Sequence, residues 1–174
     1  MKLNLADAAR DLAPDLTELR RDLHRHPELG FREVRTSGRV ARHMEALGLP
    51  VRTGVAVTGV VADVHNGSGP TVALRADMDA LPIQEEGEHA YRSIHDGVMH
   101  ACGHDAHTAA LVGAARLLVA AREGGSLPAG RIRLLFQPSE EGTDAEGRSG
   151  AMRLLEEGAL EGVEAVVGLH VGGH

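Results

Sequence analysis

The run Thr71-Val72-Ala73-Leu74-Arg75-Ala76-Asp77-Met78-Asp79-Ala80-Leu81-Pro82 decides how this chain folds. Its first four residues carry a strand signal, and two carboxylates follow at once. Two other segments have the same form. Residues 132–136 read as a short buried strand broken by Pro138, and Glu140 and Glu141 come next. Residues 163–169 read as a second buried strand, with His170 after it. In open α/β sheets the working residues collect beyond the carboxyl ends of the strands. Three strands that each run into a carboxylate or an imidazole therefore point to one shared site.

The rest of the chain supplies helices and two more strands. Leu12, Leu16, Leu19 and Leu23 recur at helical spacing and form one apolar stripe, ended by Pro27 and Gly30. Further helices are expected over residues 33–47, 105–122 and 149–157, with Gly48, Pro50 and Gly124-Gly125 as stops. Strand signals cover 51–57 and 59–64, and Asn66-Gly67-Ser68-Gly69 reads as a hairpin turn. The expectation is an α/β domain with a mostly parallel sheet and helices on both faces. Residues 76–101 are left as a long loop rich in polar groups.

With 174 residues, 43% hydrophobic and 25% charged, the chain suits one domain with a real core. Only 2% of residues are aromatic, so Ala, Val, Leu and Gly must fill that core. A net charge of −7 argues against nucleic acid or an anionic membrane as partner. The arginines between Arg10 and Arg42 are interspersed with acids and read as solvated helix faces. No secretory leader opens the sequence, and the most apolar helical stretch, 108–121, is too short to span a membrane. A lone cysteine, Cys102, forms no internal disulfide, which fits a reducing cytoplasm.

The densest chemistry lies in His100-Ala101-Cys102-Gly103-His104-Asp105-Ala106-His107. Thiolate, imidazole and carboxylate together are ligands for first-row transition metals. In an extended loop Cys102 and His104 project to the same side, and Gly103 between them permits a turn. Asp105 and His107 fall at the next helix start, where either can orient a ligand by hydrogen bond. Glu140 and Glu141 add a carboxylate ligand and a general base, and His170 a further imidazole. Asp77 and Asp79 bind metal, orient His104 or cap their loop. No serine nucleophile elbow and no phosphate loop is present.

The segments 24–29, 73–83, 99–108, 136–142 and 168–171 resemble, in order and spacing, the aminoacylase-like two-metal metallopeptidases. The branch they are most similar to contains hippurate hydrolases, N-acyl-amino-acid amidohydrolases and auxin-conjugate hydrolases. The resemblance implies a zinc-peptidase-like catalytic domain and two divalent ions, manganese, zinc, cobalt or nickel. It makes Cys102 the bridging ligand, His104, Glu141 and His170 terminal ligands, and Glu140 the general base toward a metal-bound water. Asp77, Asp79, Asp105 and His107 take supporting roles. The implied substrates are N-acyl amino acids or peptides, and the full-length relatives are homodimers. Such relatives are about twice as long, with a lid or dimerisation domain inserted after the segment matching His170. Residues 1–174 then correspond to the N-terminal part of the catalytic domain, with the last metal histidine elsewhere; His174 does not take its place. An exposed apolar sheet face is expected as well. Two other readings are a cysteine hydrolase with Cys102 as nucleophile, and a non-catalytic metal-binding part that needs another chain or segment.

Overall fold

The computed structural model describes residues 4–172, a five-stranded mixed sheet flanked by four helices. The helices are α1 (Leu5–Arg25), α2 (Val34–Ala46), α3 (His104–Glu123) and α4 (Gly150–Glu156). The strands are β1 (Val51–Val55), β2 (Gly59–Asn66), β3 (Thr71–Asp77), β4 (Gly130–Gln137) and β5 (Ala165–Gly168). They lie in the order β1-β2-β4-β3-β5.

The sheet is less parallel than its alternating pattern implies. β3 pairs in parallel with β4 and β5, whereas β2 is antiparallel to both β1 and β4. Only β2 therefore opposes the common direction. The true hairpin is β1–β2, turned at Ala56 and Val57, both at positive φ. Residues 66–69 turn the chain but make no hairpin, because β4 lies between β2 and β3. The local turn chemistry was correct there, while pairing was decided by the later strand.

Alternation along the strands divides the core in two. Val60, Ala62, Val64, Ala76, Leu134 and Phe136 face α1, α2 and α3 in the main cluster. Val61, Ala73 and Leu135 face the other way, toward Leu154 of α4 and Ala159. Helices thus cover both faces, three on one side and one on the other. The shortage of aromatic residues shows in how closely α1 and α3 approach. A Cβ on Gly113 of α3 would lie 2.5 Å from Leu16 of α1.

Caps and ion pairs fix the helices that carry the site. Asn4 accepts the N–H of Ala6 at 3.1 Å and starts α1, which runs through Pro14 and buries Leu19, Leu23 and His24. Glu28 caps α2 from outside it, its carboxylate accepting the N–H groups of Arg35 at 2.9 Å and Thr36 at 2.8 Å.

β5 departs from expectation. It is an edge strand paired only with β3, and all its residues are exposed rather than buried. Val166 is 52% exposed, Val167 48% and Leu169 83%. Among the described residues no element lies beyond it. An exposed apolar face of the kind anticipated is therefore present at this edge.

These burials set opposite expectations for two large side chains. Phe136 is fully buried, so Phe136→Ala is expected to cost about 3–5 kcal/mol in urea unfolding. Leu169→Ala is expected to change stability by less than about 0.5 kcal/mol, and a larger loss would show that the β5 edge is covered.

Candidate functional site

Three parallel strands, β4, β3 and β5, end on the same side of the sheet, where α3 begins. Gly103 precedes α3 in a left-handed conformation, φ +85°, that a side chain would strain. A Cβ there would also lie 2.5 Å from Val171. Cys102 and His104 thus converge through a turn into a helix, not through extended-chain alternation.

His104 stands at the centre. Its ring is fully buried, with Nδ1 3.1 Å from Asp79 and Nε2 without any hydrogen-bond partner. That bare nitrogen faces Asp77 at 3.7 Å, Glu141 at 3.8 Å and Glu140 at 3.9 Å. The Cys102 sulfur lies 3.2 Å from Nε2 of His170. Donor atoms of Cys102, His104 and His170 fall within 4.8 Å of one another, and so do those of His104, Glu140 and Glu141. The residues singled out as ligands and base therefore meet in one place. The two glutamates are almost equidistant from His104, and what separates them is exposure, 40% for Glu140 against 28% for Glu141.

The supporting residues divide differently from expectation. Asp79 touches the ring of His104 and also accepts the N–H of Glu141 at 3.0 Å. Burial opposes charge on Asp79, but these bonds outweigh it and hold the carboxyl below its ordinary range. Asp77 bonds Nδ1 of His107 at 2.6 Å and Arg75 at 2.7 Å, while Nε2 of His107 accepts the N–H of Val171 at 2.9 Å. His107 therefore holds the segment that carries His170. Asp105 touches no member of this group. It turns to the other side of the loop, 2.8 Å from His24 and 2.6 Å from Arg20. The cause is helical geometry, since residues 104 and 105 of α3 point about 100° apart.

Charge tells what the site lacks. Burial, with Glu141, Asp77 and Glu140 nearby, pushes the Cys102 thiol up to about 12. The carboxylates around it disfavour a free thiolate, so the arrangement favours a metal ligand over the nucleophile of a cysteine hydrolase. The four carboxylates, the thiol and the bare Nε2 of His104 instead fit a cation, and sulfur, nitrogen and oxygen donors together suit transition metals.

Sequence reasoning missed Glu33. It is fully buried beneath the site, where it accepts the N–H of Ser139 at 2.8 Å and the hydroxyl of Thr58. It thereby sets the turn that delivers Glu140 and Glu141, with Ser139 itself at φ +42°. A carboxylate at a helix start reads as a cap, so nothing in the sequence flagged it. His24 and Glu85, 3.0 Å apart and buried, were likewise given no role.

The chain matches the model of peptidase family M20/M25/M40 over residues 73–174. It belongs to that family. It is similar to the N-acetyl-L-cysteine deacetylase of Bacillus subtilis, 47% identical over 91% of this chain and 36% of that protein. It is 50% identical to IAA-amino acid hydrolase ILR1-like 5 of Arabidopsis thaliana, over 88% of this chain and 33% of that one. The crystal structure of a dinuclear metal binding peptidase from the M20 family of Bacillus subtilis superposes with a TM-score of 0.84. That match has 42% identity and covers 94% of this chain and 44% of the other. The chain thus spans a third to under half of the length of these M20 relatives. No described helix is long and apolar enough to cross a membrane.

Glu33 yields a pH test. Burial raises its carboxyl above the ordinary value, and the bonds from Thr58 and Ser139 only partly offset it. The unfolded chain therefore releases this proton at lower pH than the folded one. Between the two values the folded state holds more protons, so stability falls as pH rises. Glu33→Gln removes that dependence, and its stability relative to the native chain is expected to improve as pH rises from the ordinary glutamate range. A pH-independent difference in urea unfolding would contradict it.

Proposed function

We propose that this chain is the N-terminal part of the catalytic domain of a metal-dependent amidohydrolase that cleaves N-acyl or peptidyl amino acids. The observation that carries the reading is the unpartnered Nε2 of His104, ringed by Cys102, Glu140, Glu141 and His170. Its likeness to an N-acetyl-L-cysteine deacetylase and an IAA-amino acid hydrolase supports the substrate class.

Cys102, His104, Glu141 and His170 would hold two divalent ions of the manganese, zinc, cobalt or nickel type. Such ions supply Lewis-acid polarisation of the scissile carbonyl and charge stabilisation of the oxyanion. Glu140, the more exposed glutamate, takes the proton of the attacking water and passes it to the leaving amino group. Asp79 keeps the proton of His104 on Nδ1, so that Nε2 offers its lone pair. Asp77 and His107 hold the backbone beside His170. The lid and the last metal histidine lie on further chain, and the assembled protein is a homodimer, as the family resemblance implies. A cytoplasmic location fits the need to keep Cys102 reduced.

A second reading, metal binding without turnover by this chain alone, is favoured by its 33–36% share of the curated relatives' length. One set of measurements separates the two. Loaded with manganese or zinc, the chain is expected to hold about two ions at this centre, lost in Cys102→Ala and in Glu141→Ala. Glu140→Gln is expected to keep them while lowering the rate on N-acetyl and N-benzoyl amino acids by about 10²–10⁴-fold. Metal uptake without hydrolysis selects the second reading. A folded chain that takes up no metal through Cys102 contradicts both.

A further inference from the structure

His24 and Asp105 belong to a second group of donors that the centre above does not use. His24 of α1 and Glu85 and His89 of the loop over 78–103 bring three donor atoms within 4.8 Å of one another. Oε1 of Glu85 lies 3.0 Å from Nε2 of His24 and 2.9 Å from Nε2 of His89. Its other oxygen accepts the N–H of Ser93 at 2.7 Å, which fixes the carboxylate. The far nitrogen of His24 is 2.8 Å from Asp105, whose charge Arg20 balances at 2.6 Å. An imidazole held by a carboxylate on one nitrogen, with the other turned to a donor cluster, is the usual arrangement of a metal-ligating histidine. His104 and Asp79 show the same pairing.

Two further observations single this group out. The buried Nε2 of His89 has no hydrogen bond of good geometry. His100, only 4% exposed, has no partner for either ring nitrogen and lines the same cavity of about 630 Å³, whose opposite wall carries Cys102 and His170, so the two groups share a cavity but no ligand. With Asp105 neutralised by Arg20, the donor set is two imidazoles and one carboxylate, which suits zinc, cobalt or nickel.

We propose that His24, Glu85 and His89 form a separate site for one divalent transition ion, independent of the Cys102 centre. Without an ion, the His24 imidazolium donates Nδ1–H to Asp105 and Nε2–H to Glu85; an ion releases the Nε2 proton to solvent and takes its place, while Nδ1–H stays on Asp105. The bound ion ties the 78–103 loop to α1, reinforcing the bonds from Arg25 to the Ala90 carbonyl at 3.1 Å and from the N–H of Ile94 to the Arg25 carbonyl at 3.0 Å.

Zinc alone is the probe, added to the native chain and to a Cys102→Ser, Glu141→Gln double variant. Bound metal is counted by elemental analysis after gel filtration, and folding is followed by circular dichroism. The double variant is expected to retain about one ion, lost on adding His89→Ala. Asp105→Asn is expected to weaken that ion by about 10–100-fold. A folded double variant without zinc, or retained zinc indifferent to His89→Ala, would overturn the proposal. If the double variant does not fold, His89→Ala in the native background decides: one ion fewer supports the site, and an unchanged count overturns it. The Cys102 centre fails separately, when the native chain and the folded double variant hold the same number of ions.

Discussion

One buried imidazole organises this end of the molecule. His104 gives Nδ1 to Asp79 and leaves Nε2 bare among three carboxylates, with the Cys102 thiol beside them. Such a concentration of acceptors around a buried imidazole is costly unless a positive charge joins it. The raised Cys102 thiol is one sign of that cost, and the unpartnered nitrogen is another. The donor set, the convergence and the electrostatic imbalance all call for the same remedy, a divalent cation.

The fold produces this concentration through the directions of its strands. β3, β4 and β5 run in parallel and end together, so Asp77 and Asp79, then Glu140 and Glu141, then His170 are delivered to one edge. The register places Asp77 beside Gln137, only a few residues short of the two glutamates. Braces then limit how far each donor can move. Glu33 holds the turn at Ser139, and His107 holds the backbone at Val171. The large apolar cluster under α1, α2 and α3 keeps β3 and β4 rigid, whereas β5, and with it His170, lies at an exposed edge.

Much of this was legible in the residues. Apolar runs ending in acids marked β3 and β4, and the Cys102-Gly103-His104 triplet marked the centre, because ligand chemistry and strand patterning are both local properties. What failed was non-local. The turn at residues 66–69 has hairpin chemistry, yet β4 inserts between the strands it joins. Residues 165–168 have the composition of a buried strand, but burial depends on what lies against them, and here nothing described does. Asp105 looked like a partner of the Cys102 centre, and the helical rotation from residue 104 sends it to His24 instead. Glu33 is adjacent to the site only in space, so its burial beneath Ser139 left no trace in the sequence.

The most direct measurement of the central claim is an anomalous difference map from zinc-loaded crystals, collected on both sides of the metal edge. The account predicts two peaks sharing Cys102, each about 2.3 Å from its sulfur, with His104, Glu141 and His170 completing the ligation. A map with Cys102 and His104 ordered and no anomalous density between them would contradict it.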